Sequence, residues 1–391
     1  MVADLPDALD PSGWGNATTF PARPPSITMA LKFTLAPLAS IQITSIVTDE
    51  VDHFTPSPSP LVGKAPGLIG GAVPLPEPRC GASHELKMDR LCCGALGLSL
   101  GISAVPADGV GGQGRKPREL LFDAGPLGDL WARNASNMGY DAGKVEHVHL
   151  SHWHRDHSAG LEDAVRMIAE RKKEADGQVV VDLHPDVVVY RGMKTPKGVV
   201  SMEANPTVGT LEEAGAKVEL NGDAHLVLDG TFLVSGQIPR VTEYEGGIQG
   251  GVRLNEDGEW VEDELIMDER MVVCLLKDKG LVIFTGCSHA GVINVCLHAK
   301  EIFPDTPIYC VVGGYHLADA TPERLGSSLE DLMKLEPMLC MPGHCTGWRF
   351  KFMIEKEMPG QMVPLVAGGK QYQAVPELKA NSDIDHIKGN E

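Results

Sequence analysis

The sequence predicts an α/β protein whose helices cover the faces of its sheets. Three observations lead there. Short apolar strands and amphipathic helical stretches alternate through both halves of the chain. Polar clusters rich in histidine follow the ends of several of those strands. At 391 residues the chain can also bury a large core, as one large domain or two modest ones.

The elements follow in order. Residues 1–38 read as a flexible extension, since the first 28 are rich in Pro, Gly, Asp and Ser without sustained periodicity. Residues 41–47 alternate as a strand. A Pro/Gly-rich insert spans 55–81, and a loop of that length is either functional, for example a lid, or disordered. Strands are expected at 98–105 and 119–123, the second stopped by Ala124-Gly125-Pro126. A helix at 127–138, a strand at 145–150, a helix from about 160 to 175 and a buried strand at 179–183 come next. Further strands are expected at 216–220, 226–228 and 231–234, then a hairpin or loop over 246–263. Two strands, 271–276 and 280–285, flank the turn Lys277-Asp278-Lys279. Helix and strand then alternate at 290–303, 308–312, 322–335 and 338–341, and a last helix covers 347–357.

Composition narrows the function. Hydrophobic residues make up 43% and charged residues 22%, ordinary for a globular chain. A formal charge of -19 argues against a nucleic-acid footprint, nucleases included, and suits an enzyme that admits small molecules. No apolar run reaches the roughly 18 residues of a spanning helix, and the start lacks a charged-then-apolar signal pattern. Nine scattered cysteines without framework spacing point to free thiols and a cytoplasmic setting. Neither nucleic acid nor membrane is expected as a partner, and a homo-oligomer is compatible with the sequence.

The run His152-Trp153-His154-Arg155-Asp156-His157 carries the chemistry. Three imidazoles and a carboxylate within six residues, just past a strand, suit zinc, iron or manganese. In an extended turn His152 and His154 point to one side, while Asp156 and His157 swing toward a second position. Two later segments repeat a pattern of apolar strand, glycine and histidine. These are Gly280 to Gly291, holding Cys287 and His289, and Met338 to Gly347, holding His344. Gly313-Gly314-Tyr315-His316 is a third candidate. Ligands drawn from several strand ends are what a preformed site for two metals requires.

These segments resemble the metallo-β-lactamase superfamily. Within it, they are most similar to the group containing the 7,8-dihydropterin-6-methyl-4-(β-D-ribofuranosyl)aminobenzene 5'-phosphate synthase. The resemblance rests on Phe122-Asp123-Ala124-Gly125, His152 to His157, His184-Pro185-Asp186, Gly236 to Arg240, Thr285 to Gly291, Gly313 to Leu317 and Pro342 to Gly347. It departs at Ala95-Leu96, where relatives carry Glu-His before Gly-Leu-Ser. It implies a four-layer αββα sandwich over residues 39–375, with 376–391 as a tail.

The resemblance also implies two divalent metal ions, zinc first, with Mn2+, Fe2+ or Mg2+ as alternatives. His152, His154 and His289 would hold one, with His184 or His225 as rivals for the place of His289. Asp156, His157 and His344 would hold the other, with Asp156 also orienting a metal-bound hydroxide as the catalytic carboxylate. Cys287 reads equally as a bridging thiolate and as a small buried apolar side chain. His316 reads equally as a metal or substrate contact and as a structural histidine. Arg240 is a candidate phosphate contact or the partner of Glu243 or Glu245 in an ion pair. His184 and Tyr315 are further pocket candidates, and Asp123 braces the loop without binding metal. The expected function is metal-dependent hydrolysis of a small-molecule ester, lactone or phosphorylated substrate. The alternatives are a pterin-type synthase releasing pyrophosphate and a metal-binding protein without catalysis.

Overall fold

The structure, a computed structural model, describes residues 33–59, 62, 72–107 and 116–374. Most of the N-terminal extension, the middle of the 55–81 insert and the tail lie outside the described residues.

One long strand path organises the molecule. It runs from Ala216–Leu220 through Val179–Leu183, His147–His149, Arg118–Phe122 and Ser99–Pro106 to Pro37–Val47. It continues into Val272–Leu276, Gly280–Thr285, Ile308–Gly314 and Leu339–Gly343. Among the described residues, the two halves of the path are joined in register where Pro37 and Leu38 pair with Leu275 and Leu276. That narrow junction lets the path fold into two layers.

Three apolar clusters define the layering. The central one joins both halves, with Ile41, Leu100, Leu120 and Phe122 against Val272, Val282, Phe284 and Val312. A second sets Leu121, Val148 and Val181 against the helices Gly128–Asn137 and Leu161–Arg171, through Trp131, Ala135, Val165 and Ile168. A third sets Val273, Ile283 and Val311 against the helices Val292–Ile302, Pro322–Lys334 and Trp348–Glu357. Helix, sheet, sheet and helix in succession make the four-layer αββα sandwich.

The strand sequences show why. Side chains alternate across a strand, so Leu281 and Ile283 reach the outer cluster while Val282 and Phe284 reach the central one. Both faces are buried, and the strand therefore reads as a continuous apolar run. His147–His149 lies parallel to Arg118–Phe122, Ile308–Gly314 parallel to Gly280–Thr285, and Leu339–Gly343 parallel to Ile308–Gly314. Their carboxyl ends carry the histidine-bearing loops, the usual position for sites on parallel sheets.

One region differs from the sequence expectation, and another gains strands the sequence did not mark. Part of the 55–81 insert is a hairpin, Ala72–Arg79 with Ala82–Leu86. Its prolines fall at every second position, 74, 76 and 78, which a two-stranded ribbon tolerates because half of its N–H groups face outward. Residues 246–263 do contain a hairpin, Gly251–Leu254 with Trp260–Glu262. It joins Arg191–Thr195 and Gly198–Ser201 in a separate four-stranded sheet.

Candidate metal centre

The loop 150–158 gathers most of the site. The strand His147–His149 ends, the chain bends at His152 and Trp153, where His154 N–H donates to the His152 carbonyl at 3.0 Å, and a single helical turn, Arg155–Ser158, follows. His152 and His154 therefore face one way, while Asp156 and His157 are turned to a second position. Residues from the second half complete both positions. One group of donor atoms belongs to His152, His154 and His289, the other to Asp156, His157, Cys287 and His344, each within 4.8 Å of one another.

The first group is a triangle of nitrogens. His152 Nε2 lies 2.9 Å from His154 Nδ1, His154 Nδ1 lies 3.0 Å from His289 Nε2, and His289 Nε2 lies 3.1 Å from His152 Nε2. Burial pushes all three imidazoles below their ordinary range, His154 to about 3, so they are neutral and carry lone pairs. A tetrahedral ion with bonds near 2.0–2.1 Å needs ligand nitrogens roughly 3.3 Å apart, close to what is seen. Three converging lone pairs otherwise repel, so this donor set fits a cation.

In the second group Cys287 Sγ stands 3.0 Å from His157 Nε2 and 3.2 Å from His344 Nε2. Asp156 Oδ2 lies 3.2 Å from His344 Nε2 and 3.7 Å from His157 Nε2. Burial pushes the Asp156 carboxyl up, but His157 and His344 outweigh it and hold the group well below the carboxylate range. Burial also pushes the Cys287 thiol far up, so only a cation in the group would make it a thiolate. Asp156 keeps 24% of its side chain exposed and is the group's opening to solvent.

Carboxylates fix the imidazole tautomers. Asp123 accepts from Ser151 N–H at 2.7 Å and Ser151 Oγ–H at 2.8 Å, and from His157 Nδ1–H at 2.6 Å. Ser151 has then given away its only hydroxyl proton, so the 2.9 Å contact with His152 has Nδ1–H donating to Ser151 Oγ. His344 Nδ1–H donates to Asp49 at 2.9 Å. Each assignment, made from the network, turns the Nδ1 proton away and aims Nε2 into its group, the carboxylate–histidine arrangement common at metals.

Two glycines make the convergence possible. A Cβ on Gly286 would sit 2.2 Å from Ser151 Oγ. A Cβ on Gly97 would sit 2.2 Å from the Asp156 carbonyl, and Gly97 has φ +142, which L side chains rarely adopt.

The other sequence candidates are placed as follows. His316 lies outside both groups, with its ring 4.5 Å from that of His289. Of the rivals to His289, His225 donates to Asp182 at 2.7 Å and His184 Nδ1 accepts from Asp186 N–H at 3.1 Å, so both are engaged elsewhere. Arg240 makes no ion pair with Glu243 or Glu245; it donates to the Leu265 carbonyl and to Met267 Sδ, and its Nε is buried without a partner. Tyr315 requires a correction. It is no pocket residue, because its ring is fully buried in the outer helical cluster and its hydroxyl donates to the Val311 carbonyl at 2.9 Å. Sequence reasoning missed Asp49, Ser151 and Asp268. The signal for Asp49 was available, a carboxylate directly after an apolar strand.

The four-layer architecture is that of the metallo-β-lactamase fold. The crystal structure of a metal-dependent hydrolase of the β-lactamase superfamily matches with a TM-score of 0.57 and 20% identity, over 84% of this chain and 98% of its own. In sequence the chain is similar to the 7,8-dihydropterin-6-methyl-4-(β-D-ribofuranosyl)-aminobenzene-5'-phosphate synthase of Methanocaldococcus jannaschii. The two are 27% identical over 254 residues, 64% of this chain and 83% of the relative. An uncharacterized protein of the same organism is 28% identical over 237 residues, 59% of this chain and 80% of that protein. No family model matches the chain.

Proposed function

We propose that this protein is a dinuclear metallo-hydrolase acting on a small-molecule ester, lactone or phosphorylated substrate. The observation that carries the reading is the convergence of two donor groups from separate segments of the chain. His152, His154 and His289 would hold one ion, and Asp156, His157, Cys287 and His344 the other. Nitrogen and sulfur donors favour Zn2+, with Fe2+ or Mn2+ next and Mg2+ least suited to a thiolate. Two such ions supply Lewis acidity and lower the pKa of bound water.

The chain's own groups do the rest. Asp156, the partly exposed member, accepts a hydrogen bond from the attacking water and orients it. His316 stands beside His289 and contacts the substrate. Arg240 offers an unpaired buried Nε to an anionic group. Nine free cysteines support a reducing compartment, the cytoplasm.

The test is elemental analysis of the purified full chain beside His154→Ala, together with hydrolysis of an ester, lactone and phosphoester panel after chelation and reconstitution. Two equivalents of metal falling sharply in the variant, with metal-dependent turnover, are expected. A wild-type chain with only trace metal would remove the reading.

One observation favours a second reading. The relative named as a synthase is matched over 83% of its length. Under this reading the same groups would promote condensation of a dihydropterin carrying a methyl diphosphate with a ribofuranosyl-aminobenzene 5'-phosphate, the new bond to the methylene carbon forming as its bond to pyrophosphate breaks. Pyrophosphate release from such a pair, without turnover of simple esters, would replace the hydrolase reading.

A further inference from the structure

Three consecutive residues, Asp268, Glu269 and Arg270, join the two halves of the metal centre. They lie just before the strand Val272–Leu276, and all three are buried. Asp268 Oδ2 accepts from Trp153 N–H at 2.7 Å, between His152 and His154. Glu269 accepts from His289 N–H and Ala290 N–H, each at 2.7 Å, one per carboxylate oxygen. The Arg270 N–H donates to the Ser151 carbonyl at 2.9 Å, and its guanidinium donates to the Leu150 carbonyl at 3.2 Å. Asp268 is itself held by Arg191, which donates to it at 2.6 Å and to the Trp153 carbonyl at 3.0 Å.

These contacts are unevenly shared. Asp268 fixes the backbone between two histidines of the three-histidine group, and Glu269 fixes the backbone of the third. The second donor group is supported from elsewhere. His344 is held by Asp49, whose Oδ1 also accepts from Gly97 N–H at 3.2 Å. Cys287 precedes the stretch that Glu269 grips. Its backbone is set on one side by Gly314 N–H donating to the Gly286 carbonyl at 2.8 Å, and on the other by Ser288 Oγ–H donating to the Gly314 carbonyl at 2.7 Å.

We propose that Asp268 and Glu269 are positioning residues for the three-histidine group alone, so that each metal position has supports of its own besides Asp123, which serves both. Two adjacent carboxylates hold the histidine loops from both halves of the chain at one spacing. Neither touches the metal. Both act through backbone amides, and a carboxylate that accepts two amides at once cannot be replaced by a carboxamide without leaving one donor facing another. The proposal rests on the reading that both groups bind metal.

Cobalt(II) tests it, because only the second group holds a thiol. Cobalt beside Cys287 gives a thiolate charge-transfer band, and cobalt on three imidazoles gives none. The metal-free full chain is titrated with Co2+ as wild type, Asp268→Asn, Glu269→Gln and Asp49→Asn, with total uptake and the charge-transfer band followed separately. Circular dichroism checks folding. In Asp268→Asn and Glu269→Gln the band should saturate as in wild type, while uptake by the band-silent position weakens about 10–100-fold. Asp49→Asn should do the reverse. If Glu269→Gln does not fold, Asp268→Asn decides alone, since it reaches the same group from the other loop. Parallel weakening of band and total uptake in the folded variants overturns the separable supports but leaves metal binding standing. A wild-type chain that takes up no cobalt overturns the metal reading, and this proposal with it.

Discussion

At the scale of single residues, Asp123 carries more of the site than any ligand does. It sits at φ +56, an uncommon conformation that Asp and Asn tolerate better than other side chains. Its two oxygens serve Ser151 and His157 together. Asp123→Asn keeps the backbone conformation but must turn its NH2 toward one of those donors. The expected result is a folded chain whose metal affinity falls by roughly 10–100-fold, measured by competition with a chromophoric chelator. Unchanged affinity would mean the carboxylate does not orient His157. Tyr315→Phe makes the opposite prediction. It removes one buried hydrogen bond, from the Tyr315 hydroxyl to the Val311 carbonyl, and should cost about 0.5–1.5 kcal/mol in urea unfolding, with KM unmoved. A raised KM with unchanged stability would return Tyr315 to the pocket. The two donor groups were legible in the sequence because four of their members fall in one six-residue run. Their supports were not, since Trp153 and Asp268 are 115 positions apart and nothing local joins them.

At the scale of elements, legibility followed burial on two faces. The strands Val179–Leu183, Val272–Leu276 and Gly280–Thr285 are nearly continuous apolar runs, and their sequence bounds match the structure within a residue. The strands Arg191–Thr195 and Gly198–Ser201 carry few apolar residues and the second is wholly exposed, so no pattern marked them. The helix Val208–Glu213 is too short to show a period. The helix Val292–Ile302 was readable, but its support was not. Glu245 accepts from Ile293 N–H at 3.0 Å and Asn294 N–H at 2.9 Å, taking two amides that the helix start leaves unpaired. Glu245→Ala should therefore destabilise the protein by about 1–3 kcal/mol in urea unfolding. Because this helix follows directly on His289, its start should also lose hydrogen-exchange protection. A variant as stable as wild type would show that solvent caps the helix equally well.

At the scale of the whole molecule, the buried histidines make the stability of the metal-free chain depend on pH in two opposing ways. Burial holds His149, His152, His154 and His289 below their ordinary value of 6.5. The unfolded chain then takes up protons first as pH falls, so their contribution is present above about pH 6.5 and is lost below it. His157, His225 and His344 behave oppositely. Burial lowers them too, but it is outweighed by Asp156 and Asp123 for His157, by Asp182 for His225, and by Cys345, Asp156 and Asp49 for His344. Their folded values are raised, so their contribution is complete below about pH 6.5 and is lost as pH rises through those values. Each group changes the slope by at most about 1.4 kcal/mol per pH unit. The two sets together give the metal-free chain a stability maximum near neutrality, falling on both sides. Divalent metal must displace the protons on His157 and His344, so zinc should raise the thermal midpoint more at pH 8 than at pH 6. Thermal unfolding from pH 5 to 9, with chelator and with zinc, measures both effects. A metal-free midpoint that climbs steadily to pH 9 would show that the carboxylate-paired histidines are not protonated in the folded chain, and that the second donor group stands ready for a cation without first losing a proton.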